Sequence, residues 1–77
     1  MSEHWSEALQ NQTLKALDEL PVTPDGLLHM KHKAEGYGHF VLMELLAGKF
    51  DLYRENGGQP VAFTDAQAIV ASGWAID

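Results

Sequence analysis

The amino-acid sequence predicts a single small α+β domain over residues 1–77. Three patterns lead to this prediction: an N-terminal amphipathic helix, a β-hairpin over residues 50–63 and a short C-terminal helix. Between the first helix and the hairpin lies a central apolar segment that fits either a helix or a strand. A chain of 77 residues is long enough for one domain only.

The N-terminal helix is expected over residues 3–19. Its apolar side chains recur at three- and four-residue intervals, as they do along one face of a helix. Ser2 is a suitable N-cap, because its hydroxyl can accept a backbone N–H, and Pro21 ends the helix. The apolar face consists of Trp5, Ala8, Leu9, Ala16, Leu17 and Leu20.

Two shorter segments follow, and each of them fits two structures. Residues 21–26 predict a turn, although Thr23 and Pro24 could instead begin a short helix. Residues 27–33 fit a strand, or one or two turns of helix. A strand would place Leu28 and Met30 on one side. The other side would then carry His29, Lys31 and Lys33.

The central apolar segment, residues 39–47, follows a predicted break at residues 35–38, which contain two glycines. Its Leu, Met, Glu and Ala residues favour a helix, and Gly48 followed by Lys49 is typical of a helix C-terminus. A continuous apolar run also suits a strand that is buried on both faces. The helix is the favoured prediction.

Residues 50–63 predict a hairpin whose turn is centred on Asn56 and Gly57. This register places the apolar side chains of both strands on one face, and a slip by one residue would mix the faces. A four-residue loop over residues 55–58, or an irregular second strand, is preferred, because Pro60 has no N–H to donate to the ladder. The predicted pairs are Phe50 with Phe63, Leu52 with Val61, and Arg54 with Gln59.

The C-terminal helix is expected over residues 64–72. Thr64 and Gln67 have the spacing of a capping box, and Gly73 suits the position just after the last turn. Trp74 can then pack back onto that turn. The aromatic residues assigned to the core are Trp5, Phe50 and Phe63.

The composition disfavours several functional classes. The chain has no cysteine, which excludes disulfides, cysteine-based zinc sites and cysteine nucleophiles. A formal net charge of −6, with only five Lys and Arg residues, disfavours nucleic acid as a partner. The sequence lacks a signal-peptide pattern, a membrane-spanning apolar run and a motif for a catalytic nucleophile. We therefore expect a cytoplasmic protein that is not an enzyme and needs no cofactor.

Three histidines in the mildly basic middle of the chain are the candidate metal ligands. His29 and His32 would share one face of a helix, and His39 could supply a third ligand for zinc or nickel. On a strand, His29 and His32 would point to opposite faces. The same three residues could instead make the protein responsive to pH, because histidine changes its charge near neutral pH.

The leading functional hypothesis is a non-enzymatic protein-binding module, such as a small regulator or inhibitor of a larger complex. Residues 39–47 carry more apolar side chains than one small domain easily covers, and exposed apolar surface is typical of interfaces. A homodimer is one common way to cover such a surface. The candidate partner-binding residues come from the aromatic and basic types: Lys31, Lys33, Tyr37, Tyr53 and Arg54.

A further alternative is a nucleic-acid binder. Helical segments followed by a hairpin with a Gly-rich tip, over residues 24–63, resemble winged-helix domains in the order of their elements. The resemblance implies that residues 39–47 serve as a DNA-recognition helix. That segment contains no Lys or Arg, which disfavours this alternative.

Overall fold

The computed structural model describes residues 5–77, which contain three helices and one five-stranded antiparallel sheet. In chain order the elements are α1 (Glu7–Glu19), β1 (Leu27–His32), β2 (Gly36–Val41), α2 (Leu42–Leu46), β3 (Phe50–Arg54), β4 (Val61–Phe63), α3 (Ala66–Ala71) and β5 (Trp74–Ile76). The strands are ordered β4-β3-β2-β1-β5, so β4 and β5 form the two edges. The predicted α+β class, with its N-terminal helix, hairpin and short C-terminal helix, is confirmed.

Helix α1 begins four residues later than the apolar pattern predicted. Ser6 is its N-cap, and the Ser6 hydroxyl accepts a hydrogen bond from the backbone N–H of Leu9 at 3.2 Å. Trp5 lies outside the helix and donates from its indole N–H to the carbonyl of Gly73 at 2.9 Å. The predicted cap, Ser2, lies outside the described residues. The helix ends before Pro21, as predicted, and Leu20 adopts a left-handed conformation with φ of 55°.

Strand β2 corrects two predictions. Residues 35–38 were expected to be a break and residues 39–47 a helix, but the turn covers residues 33–35 and a strand runs from Gly36 to Val41. Glycine suits position 38 of this strand, because a side chain there would approach the next strand too closely. A Cβ atom at Gly38 would lie 3.0 Å from the Tyr53 carbonyl oxygen and 3.2 Å from Leu52 Cδ1. The apolar segment therefore divides into the end of β2 and the short helix α2.

The hairpin of β3 and β4 has the predicted register over its strands. Phe50 pairs with Phe63 and Leu52 pairs with Val61, which places all four apolar side chains on one face. The loop is longer than the predicted four residues, because β4 begins only at Val61. The third predicted pair, Arg54 with Gln59, therefore does not belong to the ladder.

Helix α3 is confirmed, but its N-cap is one residue later than predicted. Asp65, and not Thr64, accepts a hydrogen bond from the backbone N–H of Ala68 at 2.9 Å. Gly73 follows the helix with φ of 95°, a conformation that favours glycine. The next residues form β5, a strand that the sequence pattern did not predict, and it pairs with β1.

The core lies between the helices and one face of the sheet, which we call the inner face. Side chains from all three helices join strand residues in one buried cluster. Its members are Leu17, Leu28, Met30, Phe40, Leu45, Leu52, Ile69 and Trp74. Of the predicted aromatic core, Phe50 and Phe63 are half-buried against this cluster. Trp5 is half-buried outside it, and Trp74 is the tryptophan that the core contains.

Helix α1 also covers the edge of the sheet at β5. Thr13 is fully buried and donates its hydroxyl hydrogen to the carbonyl of Leu9 at 2.7 Å. The same oxygen accepts the backbone N–H of Ile76 at 3.1 Å. Because β5 is an edge strand, this N–H has no neighbouring strand to bind, and the helix supplies the missing acceptor.

Two broader expectations can be compared with the fold. Residues 24–63 contain two strands, the five-residue helix α2 and the hairpin, so they do not have the winged-helix element order. The resemblance fails because the segment expected to be a recognition helix divides between the last three residues of β2 and the five-residue helix α2. Within residues 5–77, no helix combines the length and the apolar character that crossing a membrane requires.

Candidate functional site

An apolar groove lies between the C-terminal end of α1, the segment that leads into β1, and helix α2. We call it the α1–α2 groove, and its volume is about 410 Å³. It is lined by Asp18, Glu19, Leu20, Pro21, Val22, Thr23, Gly26, Leu42, Met43 and Leu46. The groove therefore joins residues of the turn after α1 with residues of the central apolar segment.

The α1–α2 groove contains most of the large hydrophobic surface that the described part of the chain exposes. Residues 5–77 expose four large hydrophobic side chains. Three of them, Val22, Met43 and Leu46, line the groove. Their exposed fractions are 100%, 75% and 68%. Single exposed apolar side chains are common, but several together in a concave surface are typical of an interaction site.

Negative charge borders this apolar surface. Asp18 and Glu19 line the groove, and the last turn of α1 carries no basic residue. The carbonyl end of a helix already bears a partial negative charge, so these carboxylates add to it instead of neutralising it. A second, smaller hollow of about 310 Å³ adjoins the groove and shares Glu19 and Pro21 with it. Lys15 lines only that second hollow.

Hydrogen bonds hold the walls of the groove in place. The Thr23 hydroxyl donates to the carbonyl of Leu27 at 3.0 Å, and Asp25 Oδ1 accepts the Leu27 N–H at 3.0 Å. The backbone N–H of Leu42 donates to the carbonyl of Gly26 at 2.9 Å. The last bond joins the start of α2 directly to the turn before β1, so both walls are fixed before any ligand binds.

A row of three rings crosses the other face of the sheet, which we call the outer face. His29, His39 and Tyr53 are direct cross-strand neighbours on β1, β2 and β3. The ring centres of His29 and His39 are 6.4 Å apart, and those of His39 and Tyr53 are 5.5 Å apart and nearly parallel. We call these three residues the ring row. Such pairs stabilise neighbouring strands because their side chains contact each other directly.

Each end of the ring row binds a carboxylate. Asp25 Oδ2 lies 2.7 Å from His29 Nε2, and this hydrogen bond is the largest contribution that lowers the pKa of Asp25 from 3.8 to about 2. At the other end, the Tyr53 hydroxyl donates to both carboxylate oxygens of Glu44, at 3.0 and 3.1 Å. That hydrogen bond raises the pKa of Tyr53 above its ordinary value of 10.0.

The ring row thereby connects to both walls of the α1–α2 groove. Asp25 lies in the turn before β1, next to Gly26, which lines the groove. Glu44 lies in α2 next to Met43, which lines the opposite wall. The outer face therefore positions the turn and helix α2, although no ring of the row lines the groove itself.

Three of the five predicted partner-binding residues lie on the outer face, and the other two, Lys33 and Arg54, contact Trp5 and Glu35, respectively. Lys31, Tyr37 and Tyr53 lie on the outer face, where Lys31 and Tyr37 are cross-strand neighbours and Tyr37 is 54% exposed. Lys33 and Lys31 hold their ammonium groups over the Trp5 ring, at 4.8 and 5.1 Å from its centre. Arg54 forms an ion pair with Glu35 at 3.2 Å.

The structure does not bring the three predicted metal ligands together. His29 and His39 are neighbours in the ring row, whereas His32 lies on the inner face against Trp74, with ring centres 5.0 Å apart. Both nitrogens of His32 are bonded: Nδ1 accepts two backbone N–H groups in the β1–β2 turn, and Nε2 donates to the Ser72 carbonyl at 2.8 Å. Among residues 5–77, no three His, Cys, Asp or Glu side chains are arranged to hold a metal ion.

Comparison with known proteins identifies no relative of this chain. No protein-family model, no curated protein and no solved structure matches the chain. The contacts and charges of its own side chains are therefore the basis for a functional proposal.

Sequence reasoning did not identify the residues of the groove as a site. The apolar excess of residues 39–47 was the available signal, and two of these side chains, Met43 and Leu46, are exposed. Val22 gave no such signal, because a single valine between two prolines is typical of an ordinary turn. Only the packing of the turn beside α2 joins Val22 to the other two.

Proposed function

We propose that this chain is a non-enzymatic, cytoplasmic protein-binding module that acts as a small regulator or inhibitor of a larger complex and binds its partner through the α1–α2 groove. The observation that carries this proposal is the concentration of exposed hydrophobic side chains, Val22, Met43 and Leu46, in one groove. A small domain has little apolar surface to spare, so exposing these three side chains lowers its solubility without adding stability.

Two further features support this role. The walls of the groove are held by hydrogen bonds from Thr23 and Asp25 and by the bond between Leu42 and Gly26, so binding requires little ordering of the backbone. The carboxylates of Asp18 and Glu19 border the apolar centre on the α1 side, and charged groups at the border of an apolar centre are usual in protein interfaces.

The test compares two variants of the tagged protein as bait in its native cells. The groove variant carries Val22→Thr, Met43→Gln and Leu46→Gln, which keep side-chain size close to the original. The control variant is Tyr37→Ser, which removes the fourth exposed large hydrophobic side chain of residues 5–77, located on the outer face. Both changes lie at exposed positions, so thermal melting should show that both variants stay folded.

The expected result is a partner that wild type and Tyr37→Ser retain and that the groove variant loses. Retention of every partner by the folded groove variant would contradict the proposed function of the groove. A partner lost only by Tyr37→Ser would assign the binding to the outer face instead. Sedimentation of the pure protein over a range of concentrations tests the homodimer, and a dimer that the groove variant abolishes would make the partner a second copy.

A further inference from the structure

We infer that the α1–α2 groove selects a basic partner segment, in which an apolar side chain enters the groove and Lys or Arg residues on either side reach Asp18 and Glu19. This inference rests on the proposed function and specifies the chemistry of the partner. It follows from the charges around the groove and not from its apolar lining, since the lining alone would accept any hydrophobic side chain.

The end of α1 violates an ordinary preference of helices. Cations are favoured at a helix C-terminus, where the free carbonyl groups carry partial negative charge. Here the last turn carries Asp18 and Glu19 and no basic residue, and both carboxylates are exposed. Neither side chain has a salt-bridge partner among the contacts that residues 5–77 form. Two uncompensated carboxylates beside an exposed apolar groove match the charge of a basic ligand.

The remaining charges near the groove do not reverse this conclusion. Asp25 lies beside Gly26 on the turn and forms a hydrogen bond with His29. Its pKa of about 2 keeps it negatively charged at neutral pH, so it adds a further acidic group near the groove. Lys15 lines the neighbouring hollow together with Glu19, but it forms no ion pair with that carboxylate among the contacts of residues 5–77 and it does not line the groove. The whole chain has a net charge of −6, which accelerates its encounter with a positively charged partner.

A second copy of the chain fits the groove less well than a basic segment. In a symmetric dimer the same surface patch occurs on both partners. Packing groove against groove would place the carboxylates of both copies in one interface, to which the groove lining contributes no Lys or Arg, and uncompensated like charges disfavour association. A basic segment covers the same apolar side chains and neutralises the carboxylates.

The experiment titrates the ¹⁵N-labelled full chain with synthetic peptides and follows amide chemical shifts. The basic peptides carry one central Leu, Met or Phe between Lys and Arg residues. Each has two matched controls, one with Glu in place of Lys and Arg, and one with Ser in place of the apolar residue. Shifts are expected at the groove amides, including Val22, Met43 and Leu46, for the basic apolar peptides only.

Matched protein variants separate local charge from net charge. Asp18→Asn with Glu19→Gln removes the two groove carboxylates, and Glu7→Gln with Glu55→Gln removes two exposed carboxylates elsewhere, so both double variants change the net charge equally. The first pair should weaken binding about threefold to tenfold, and the second pair much less. Met43→Gln with Leu46→Gln should weaken it about tenfold or more.

Three results would overturn the inference: equal binding of acidic and basic peptides, equal weakening by both carboxylate pairs, or no groove shift with any basic peptide. The cellular test described above distinguishes this failure from a failure of the proposed function. If partner capture still depends on Val22, Met43 and Leu46 while every basic peptide fails, the groove binds protein and the inferred charge preference is wrong. If capture does not depend on these residues, the proposed function itself fails.

Discussion

His39 and Phe40 are neighbours in β2, yet they lie on opposite faces of the sheet and in different surroundings. Phe40 is fully buried on the inner face, in the cluster that joins the sheet to the helices. His39 is half-buried on the outer face, where its ring stacks on that of Tyr53. The inner face is held by apolar packing, whereas the outer face is held by ring contacts that end in carboxylates.

The difference between the faces separates two tasks. Packing on the inner face removes apolar surface from water, which is the main source of folding free energy. The ring row on the outer face buries less, but the carboxylates that it binds, Asp25 and Glu44, lie next to Gly26 and Met43 in the two walls of the α1–α2 groove. The inner face should therefore determine stability, and the outer face should determine how firmly the groove walls are held.

Substitution of Phe40 and of His39 by alanine should show the largest difference in stability between the two faces. Phe40→Ala removes a fully buried ring and should destabilise the fold by about 3–5 kcal/mol, which is close to the total stability expected of so small a domain. His39→Ala should cost no more than about 1 kcal/mol, because its ring is only partly buried. Urea denaturation followed by tryptophan fluorescence measures both.

Phe40→Leu keeps this comparison measurable if Phe40→Ala does not fold, because it removes fewer atoms and should cost about 1–2 kcal/mol. Equal losses for Phe40→Leu and His39→Ala would show that the two faces contribute alike. The division of tasks proposed for them would then be wrong.

The contact between α1 and the edge strand β5 should give the next largest effect on stability. Thr13→Val keeps the shape of the side chain but removes the fully buried oxygen that accepts the Ile76 N–H, so this half-buried donor loses its partner. The free energy of unfolding should fall by about 1–3 kcal/mol. Hydrogen exchange at the Ile76 amide should become faster, because that amide loses its acceptor. Thr64→Val, at an exposed position, is the matched control and should change stability little. Unchanged exchange at Ile76 would show that α1 does not protect this edge.

The N-cap of α3 should make a smaller contribution to the stability of the fold. Asp65→Ala removes the carboxylate that accepts the Ala68 N–H and should cost about 1 kcal/mol. In a domain of this size, that cost lowers Tm by about 4–8 °C. Thr64→Ala should have little effect, because Asp65 occupies the N-cap position. A larger loss from Thr64→Ala than from Asp65→Ala would favour the capping box that the sequence suggested.

Local patterns were sufficient for the elements whose signals lie close together in the sequence. The register of the hairpin followed from the spacing of Phe50, Leu52, Val61 and Phe63, since a slip would have mixed its faces. Strand β2 was missed because Gly36 and Gly38 are typical of a break. The need for glycine at position 38 arises from the close approach of Leu52 and Tyr53, which is a tertiary contact. Strand β5 pairs with distant β1, and no local pattern shows that pairing.

The candidate site was less predictable than the fold for the same reason. His29, His39 and Tyr53 were all selected from the sequence, but for different purposes, and their contacts depend on the registers of three strands. The groove depends on Val22 lying beside α2, which is a contact between separate segments. Residue type identifies candidates, whereas their grouping requires the tertiary structure.

The Tyr53 end of the ring row should respond to alkaline pH. Its pKa is raised because the protonated hydroxyl donates to Glu44, so the stabilisation is complete below pH 10 and is lost as pH rises through the higher pKa of the folded state. Tyr53→Phe removes this contribution, and the difference in Tm between wild type and variant should shrink above pH 10. Ultraviolet titration of Tyr53→Phe should also lack the tyrosine that ionises late. A difference in Tm that stays constant up to pH 11 would contradict this coupling.

The Asp25 end should respond to acid, with the smallest effect, since this carboxylate lies at the surface. Its pKa in the folded state is about 2, chiefly because of the hydrogen bond to His29, compared with 3.8 for an ordinary Asp. The stabilisation is therefore present above pH 4 and is lost as pH falls through 2. Asp25→Asn should lower Tm at pH 5 and leave it nearly unchanged at pH 2. Asp18→Asn, whose carboxylate has no such partner, is the control. A Tm difference for Asp25→Asn that persists at pH 2 would mean that its cost comes from the turn backbone, which Asp25 also binds at Leu27, and not from its charge.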